Sequence, residues 1–512
     1  MKRQSLSKAS FSAALLLLAG AVSASADPTD VHDLAVLHGR VIDPESGIDG
    51  LRHVGIKDGR ISAVSEQTLK GVIELDATGL VVAPGFIEIH SHAINIPSTW
   101  MQAFDGVTTA LELERGAWPL DKAYDEVAEK GLPLNYGFSV SWIDARLAAL
   151  GEKQFDTLVP PEKSMLLVDL VEEGLEQGGV GIGLLPGYLP ESNRVEFYEM
   201  ARLAAKYDVP TFTHVRSKFQ LEPNGVIESF GEVIAAAAAT GAHMHICHVS
   251  SVATRSSAKV VDMIRTAQQQ GLRITTENHP YGAGSTVIGA PFLWPENHAR
   301  VGISSTDIVY LKTGERPAGA ARLAEIQASD PTGWSIIHYL DMDDPADRAH
   351  HDTAMLFPDT IIASDAMPYT IDGEDFDEPV WPLPDKAVSH PRSAGTFARV
   401  MGHYVRERGV FSLPEAIRRS TLLPARLLEN AAPQMRNKGR LKIGADADVV
   451  IFDDKTIIDR ATYDNPRLHS VGVQHLLVNG EFVIREGTLQ QEARPGRPVR
   501  GPMRHRQDSN EG

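Results

Sequence analysis

Cysteine, positive charge and long apolar runs are all scarce in this chain of 512 residues. Its single cysteine, Cys247, rules out an intrachain disulfide, so stability must come from the packed core. The 67 acidic residues outnumber the 49 lysines and arginines, and the net charge of -18 disfavours nucleic acid and anionic membrane surfaces as partners. After the first 30 residues, no apolar run is long enough to span a bilayer. The remaining composition, 43% hydrophobic and 23% charged, is typical of a globular protein with a large core.

The first 26 residues have the pattern of a secretory signal peptide. Lys2 and Arg3 precede an apolar run at 13–22, and small residues at 23–26 form a cleavage site. A membrane anchor would need roughly 20 apolar residues, and this run is shorter. We therefore predict that the signal is cleaved before Asp27 and that the mature protein is periplasmic or secreted.

The pattern of apolar residues changes twice along the rest of the chain. Short β-branched runs at 33–43 and 54–64, and again at 448–453 and 475–484, predict β structure at both ends. Between them, apolar strands alternate with helical patterns, as in βα units around a parallel sheet. The candidate strands are 81–90, 107–113, 136–142, 179–185, 210–215, 243–248, 272–277 and 360–365. Eight strands predict an α/β fold, a (β/α)₈ TIM-type barrel with a small β-sandwich formed from the N- and C-terminal segments.

This pattern divides the chain into segments. The stretch 282–359 is too long for one βα connection, which predicts an insertion or lid there. The tail is rich in Arg, Pro and Gly, which predicts a loose strap on the surface. The predicted segments are a signal peptide at 1–26, the N-terminal part of the sandwich at 27–83, the barrel at 84–430 with its insertion at about 283–358, the C-terminal part of the sandwich at 431–491, and the tail at 492–512.

Polar side chains collect at the predicted strand ends, where a barrel of this type places its active site. Four are histidines and three are carboxylates: His90 and His92 after strand one, Glu112 and Glu114 on strand two, His214 on strand five, His248 on strand six and Asp365 on strand eight. Singly, His214 or His248 could be a core histidine and Asp365 a helix cap. Because they recur at five strand ends, they predict a site for one or two divalent ions, with Zn²⁺ suited to imidazole nitrogen. Such a site activates water and polarises a carbonyl, with Asp365 as the catalytic group that moves the proton.

Longer motifs around these residues resemble the amidohydrolase superfamily and, within it, the N-acyl-D-amino-acid deacylases. The segments that carry the resemblance are 83–92, 106–109, 213–216, 245–250, 279–286, 363–368, 390–397 and 439–453. The resemblance spans nearly the whole predicted mature chain. It implies a barrel with a β-sandwich, a zinc site, removal of an acyl group from an N-acyl amino acid, and a substrate of D configuration.

One departure from the superfamily concerns the group that bridges the two metals. Many relatives use a carboxylated lysine at the end of strand four, but residues 181–186 include no lysine. D-Aminoacylases use a cysteine just after strand two, where this chain reads Leu-Glu-Leu-Glu-Arg-Gly at 111–116. Glu112 and Glu114 share one face of the strand. We predict that Glu114 bridges and keep Glu112 as the alternative, with Cys247 in the core.

Cations near the site predict recognition of a carboxylate. Arg216 stands two residues beyond His214 and is followed by Lys218, and a guanidinium grips a carboxylate bidentately. Arg392 and Tyr281 are further substrate-binding candidates, and a surface ion pair is the alternative for each cation. The prediction is a metal-dependent amide hydrolase acting on N-acyl-(D-)amino acids. The alternatives are hydrolysis of a dipeptide, a cyclic amide or an amide-linked toxin, and a metal-loaded binding protein without activity. Homo-oligomerisation stays open.

Overall fold

The computed structural model describes residues 31–151 and 159–503. The predicted signal peptide and its cleavage site lie outside the described residues. Within the described ranges, no helix is both long and apolar enough to cross a membrane.

The described chain alternates strands and helices through most of its length. Its strands are β1 (Val31–Asp43), β2 (Ile48–Lys57), β3 (Arg60–Ser65), β4 (Lys70–Asp76), β5 (Val81–Pro84), β6 (Phe86–Glu88), β7 (Val107–Ala117), β8 (Asn135–Ser141), β9 (Ile182–Leu184), β10 (Pro210–Thr213), β11 (His243–Ile246), β12 (Ile274–Asn278), β13 (Ala283–Val287), β14 (Ile308–Tyr310), β15 (Trp334–His338), β16 (Ile361–Ile362), β17 (Thr370–Ile371), β18 (Glu374–Asp375), β19 (Val449–Phe452), β20 (Val473–Val478), β21 (Glu481–Arg485) and β22 (Thr488–Leu489). Its α-helices are α1 (Ile96–Phe104), α2 (Leu120–Lys130), α3 (Trp142–Leu150), α4 (Pro161–Glu176), α5 (Arg194–Tyr207), α6 (Val226–Thr240), α7 (Val249–Ala253), α8 (Ser257–Gln269), α9 (His298–Val301), α10 (Ala320–Ser329), α11 (Pro345–Met355), α12 (Arg392–Arg399), α13 (Leu413–Ser420) and α14 (Leu422–Leu428). A π-helix, Val400–Glu407, continues α12.

The predicted barrel is confirmed. Eight parallel strands run in the order β16-β12-β11-β10-β9-β8-β7-β6. The two outer strands of this series are joined just beyond their ends, where Ser91 forms a parallel bridge with Ala366. The barrel strands are buried along almost their whole length because helices cover their outer face, which is why they read as continuous apolar runs. The structure therefore closes the barrel at the same edge at which the predicted site residues stand.

A second sheet joins the two ends of the chain. Its nine strands include β1–β5 and β19–β22, and β5 pairs antiparallel with β19. This sheet forms the predicted β-sandwich part of the fold. Phe86 connects it to the barrel, since its ring packs against Phe397 and Phe452 at centroid distances of 5.4 and 6.3 Å. The apolar contact holds the first barrel strand in place.

The first predicted strand, 81–90, is in fact divided between the two sheets. Residues Val81–Pro84 belong to the sandwich sheet, and Phe86–Glu88 belong to the barrel. Gly85 stands at the break, where the side chain of Thr108 fills the space that a Cβ would need. An apolar run has no internal mark of such a change of partner, so the sequence predicted one strand where the structure has two.

The predicted insertion contains a small antiparallel sheet. Strands β13, β15 and β14 pair in that order, and α10 lies within the same segment. Its own core includes Ile288, Leu323 and Tyr339. This insertion stands beside the carboxyl ends of the barrel strands and supplies one wall of the cavity described below.

The tail differs from the predicted loose strap. Val499 is fully buried, its backbone N–H donates to the Tyr136 carbonyl at 2.6 Å, and its carbonyl accepts from the Tyr124 hydroxyl at 2.7 Å. The Tyr136 N–H donates in turn to the Arg497 carbonyl at 3.1 Å. The described part of the tail thus adds an extended segment beside β8. Its Arg and Gly content did not predict this, because main-chain hydrogen bonds do not depend on side-chain polarity.

We expect removal of residues 493–512 to destabilise the protein. Truncation removes the buried side chain of Val499, which lowers the free energy of unfolding by about 1.5–3 kcal/mol. It also leaves main-chain groups of Tyr136 without partners. Thermal unfolding followed by circular dichroism measures the change. Removal of residues 504–512 alone is the control, and equal melting temperatures for both truncations would contradict the expectation.

Candidate metal-dependent active site

Two histidines follow the first barrel strand and point their rings at one position. The Nε2 atoms of His90 and His92 are 3.2 Å apart. One oxygen of Asp365, Oδ1, lies 3.4 Å from the first of these atoms and 3.5 Å from the second. The ring of His90 is fully buried and His92 is half-buried. Three ligand atoms therefore converge from β6 and from the loop after β16.

A second pair of histidines lies on the opposite side of Glu114. Oε1 of Glu114 is 2.8 Å from Nε2 of His248 and 3.2 Å from Nδ1 of His214. Its other oxygen, Oε2, lies 3.3 Å from Nε2 of His90 and 3.6 Å from Nε2 of His92. Each carboxylate oxygen thus faces one histidine pair, which is the arrangement that a bridging carboxylate needs.

The electrostatics of this cluster favour bound positive charge. Burial lowers the pKa of His90 and of His92, but the surrounding carboxylates outweigh burial and raise both well above the ordinary value. Burial opposes ionisation of Glu114, yet the histidines hold its pKa well below the usual range. Burial lowers the pKa of His214 to about 4, which keeps its imidazole neutral as a metal ligand must be. Protons and metal ions therefore compete for the same atoms.

Carboxylates behind the first histidine pair orient both rings. Nδ1 of His90 hydrogen-bonds to Oε1 of Glu277, and Nδ1 of His92 lies 2.8 Å from Oε2 of Glu112. Because a carboxylate accepts from Nδ1, each ring keeps its Nε2 lone pair free for a metal. Burial opposes ionisation of Glu277, but His90 and His245 lower its pKa to about 2. The sequence reading missed Glu277, although it ends the seventh predicted strand.

This arrangement separates the two glutamates that the sequence left as alternatives. Oε1 of Glu112 accepts from the backbone N–H of Arg115 at 3.2 Å and of Gly116 at 3.4 Å, while Oε2 holds His92. The sequence left Glu112 as a possible metal ligand, but both of its oxygens already contact other groups, one the far nitrogen of His92 and the other two backbone N–H groups. Glu114, one pleat further along β7, is the glutamate that lies between the two histidine pairs.

Replacing Glu277 with Gln is expected to lower zinc affinity about 10–100-fold, the usual cost of losing a carboxylate behind a ligating histidine. The amide keeps the shape but removes the charge that fixes the His90 ring. Competition with a chromogenic chelator measures the affinity. Glu232→Gln, which changes a carboxylate paired with Arg216, is the control. Equal affinities in the two variants would refute the role of Glu277.

Asp365 also contacts a buried guanidinium. Nη2 of Arg392 lies 2.8 Å from Oδ1 of Asp365, and Arg392 is fully buried. Burial opposes ionisation of Asp365, but Arg392 and the histidines hold its pKa well below the usual range. The Asp365 backbone has a positive φ of 53°, and His248 has one of 31°. Both residues hold a costly conformation that presents their side chains to the cluster.

A cavity of about 560 Å³ opens over the cluster. Its floor includes His92, Glu114, His214, His248 and Asp365. The insertion contributes a wall of mainly apolar and aromatic groups, among them Val287, Ala290, Pro291, Phe292, Trp334 and Tyr339. Such a volume suits a small molecule with one apolar part and a few polar groups.

Of the predicted substrate-binding residues, only Arg392 lines this cavity. Arg216 instead forms a bidentate pair with Glu232 at 2.8 Å, and its remaining N–H groups donate to Ser192 and Pro190. Tyr281 donates weakly at 3.3 Å to Asp459 and to the Gly395 carbonyl, outside the cavity lining. The predicted roles of Arg216 and Tyr281 in substrate binding are therefore not supported by their positions.

Two cavity residues were missed or passed over. Lys218 was named only as a neighbour of Arg216, yet it is buried and lines the cavity. Tyr188 lies in the loop after β9, with its ring 5.0 Å from that of His214 and its hydroxyl 2.8 Å from Oγ1 of Thr286. Position after a barrel strand was the available signal for both residues, but it does not indicate which loop residues point inward.

Residues 199–484 match the family model described as "Amidohydrolase family". The chain belongs to the amidohydrolase family. The match covers more than half of the chain and includes three of the residues in the cluster, so the superfamily resemblance inferred from the motifs is confirmed. The barrel and the β-sandwich described above are therefore the fold of this amidohydrolase.

Several relatives of this amidohydrolase are deacylases. It is 29% identical to the N-acyl-D-glutamate deacylase of Alcaligenes xylosoxydans xylosoxydans, over 91% of this chain and 96% of that protein. It is 25% identical to the D-aminoacylase of the same organism, over 89% and 95%.

Solved structures agree with this result. The N-acyl-D-glutamate deacylase of Bordetella bronchiseptica, solved with zinc and a phosphonate mimic of the tetrahedral intermediate, has a TM-score of 0.74 at 26% identity and covers 92% of this chain and all of that chain. A D-aminoacylase structure has a TM-score of 0.75 at 21% identity, with the same coverage, and supports the fold.

Proposed function

We propose that this amidohydrolase is a zinc-dependent deacylase that releases the amino acid from N-acyl-D-amino acids. The observation that carries the proposal is the position of Glu114, with one oxygen toward each of two histidine pairs. Its deacylase relatives support the substrate class and its configuration.

The donor set fits zinc. It consists of imidazole nitrogens and carboxylate oxygens, and the first two histidines have carboxylates on their far nitrogens. His90, His92, Glu114 and Asp365 would hold one ion, and Glu114, His214 and His248 would hold a second ion. Zinc held there would supply Lewis acidity toward a carbonyl oxygen and an attacking water.

The chain's own residues then carry out binding and proton transfer. Asp365, held by Arg392, accepts the proton of the attacking water and passes it to the leaving nitrogen. Arg392 lines the cavity, and its buried Nε has no hydrogen-bond partner among the described residues, so we place this guanidinium among the groups that bind the substrate. The apolar wall formed by the insertion receives the acyl group and keeps bulk water from the reacting amide.

A substrate panel tests the proposed function. Protein stripped with a chelator should release no amine, and added zinc should restore release from N-acetyl-D-amino acids in preference to their L enantiomers. Release is measured by derivatisation of the free amine. Full activity of the stripped protein, or no release from any N-acyl amino acid with zinc present, would overturn the proposal.

We further propose that the protein is exported with cleavage before Asp27. The proposal rests on Lys2, Arg3 and the short apolar run at 13–22. Mass spectrometry of exported protein should find Asp27 or a close neighbour at the N-terminus. Exported protein that retains Met1 would contradict it.

A further inference from the structure

Lys218 places a buried ammonium group on the cavity wall. Its side chain is almost fully buried, and its Nζ lies 4.2 Å from the centroid of the Phe292 ring and 4.3 Å from that of Tyr339. Its hydrogen bond is a donation to the Tyr339 hydroxyl at 2.9 Å. Both aromatic residues belong to the insertion, so Lys218 reaches from the loop after β10 into the wall that faces the metal cluster.

Among the described residues, this ammonium has no paired counter-ion. Over residues 31–151 and 159–503, no carboxylate forms an ion pair with its Nζ, whereas Arg216 is paired with Glu232. Burial lowers the pKa of Lys218 to about 7, although the more distant carboxylates of Asp365 and Glu114 act to raise it. A buried cation that is only partly compensated is costly, and stability alone gives no reason to keep it.

We propose that Lys218 binds a carboxylate group of the substrate and so determines which N-acyl compounds are cleaved. This inference rests on the proposed deacylase function and adds a specificity-determining residue to it. Lys218 takes the role that the sequence had assigned to Arg216.

The position of Lys218 relative to Arg392 favours a carboxylate. The Tyr339 ring and Nη1 of Arg392 both border Gly284, since a Cβ there would lie 3.1 Å from that ring and 3.8 Å from that nitrogen. Lys218 contacts the same ring, so both cations lie near Tyr339 in the cavity lining, and Arg392 is the one that forms an ion pair with Asp365. An anionic group bound here would place the rest of a small substrate over the histidines, and the ammonium would supply one charge-assisted hydrogen bond.

Lys218→Met tests the proposal, because methionine keeps much of the length and removes the charge. The zinc-loaded enzyme is assayed with four substrates: N-acetyl-D-leucine, its α-carboxamide, N-acetyl-D-glutamate and N-acetyl-D-glutamine. A lost charge-assisted hydrogen bond predicts a fall in kcat/KM of about 10–100-fold, mainly through KM, for substrates with the recognised carboxylate. Lys206→Met is the matched control, since it removes an exposed lysine that pairs with Glu172 and does not line the cavity.

The four substrates distinguish the two possible carboxylates. If Lys218 binds the α-carboxylate, the variant loses activity on N-acetyl-D-leucine and not on its carboxamide. If it binds a side-chain carboxylate, the loss is confined to N-acetyl-D-glutamate. The melting temperature of Lys218→Met should equal or exceed that of the wild type, because an unpaired buried charge has been removed.

If the wild type is active, two results would overturn the inference alone. The first is a Lys218→Met variant with unchanged kcat/KM on every substrate. The second is a variant whose kcat/KM falls equally on all four substrates, the carboxamide included. A zinc-loaded wild type that cleaves none of the four would overturn the proposed function, and the inference with it.

Discussion

Glu114→Gln is expected to lose at least one of the two proposed metal ions and most amide hydrolysis. The carboxylate lies between four imidazoles, with Oε1 at 2.8 Å from His248 and Oε2 at 3.3 Å from His90. Gln keeps the shape but removes the negative charge that holds two cations a short distance apart. Removing one partner of a buried charged pair typically costs about 3–5 kcal/mol, which corresponds to roughly 10²–10⁴-fold in affinity or rate.

Elemental analysis of purified protein, combined with amine release from N-acetyl-D-amino acids, measures both effects. Glu112→Gln is the matched control on the same strand, because Glu112 holds the ring of His92 from behind. We expect the control to keep both ions and to lose only about 10–100-fold in affinity. Two ions and full turnover in Glu114→Gln would refute the bridging role, and a larger loss in Glu112→Gln would transfer that role to Glu112.

Asp365→Asn is expected to lower kcat by about 10²–10⁴-fold, the range for loss of a positioned general base. The amide cannot accept the proton of the attacking water, although it can still contact the two Nε2 atoms and Arg392. Metal content should fall by at most one ion. Substrate binding should persist, because Arg392 and the apolar wall are unchanged.

Steady-state kinetics and metal analysis on the same preparation measure this prediction. Asp144→Asn is the control, since Asp144 lines the same cavity but pairs with Arg115 at 3.3 Å. Near-normal kcat in Asp365→Asn would remove Asp365 from the reaction. Substrate binding without turnover in the wild type would support the alternative of a metal-loaded binding protein.

The fold was predictable because barrel strands are buried on both faces. Their apolar runs, alternating with helical patterns, indicate a parallel sheet from local sequence alone. The break at Gly85 was not predictable, because a residue that passes from one sheet to another keeps the same apolar neighbours in the sequence. The tail was misread for a related reason: its backbone hydrogen bonds to Tyr136 and Tyr124 leave no mark in its Arg, Pro and Gly content.

The sequence alone predicts that the candidate metal ligands stand at one edge of a barrel, because parallel strands end at the same edge and alternation sets the face of each side chain. These candidates are His90, His92, Glu112, Glu114, His214, His248 and Asp365. The contacts that each group makes there depend on the packing of distant segments. Glu112 and Glu114 share a face, yet the lateral positions of His92 and His248 separate an orienting carboxylate from one that lies between two histidine pairs. Arg216 and Lys218 are two residues apart, yet Glu232 on α6 captures the first and Tyr339 in the insertion receives the second. Such partners come from distant segments, and their positions depend on how the whole chain packs.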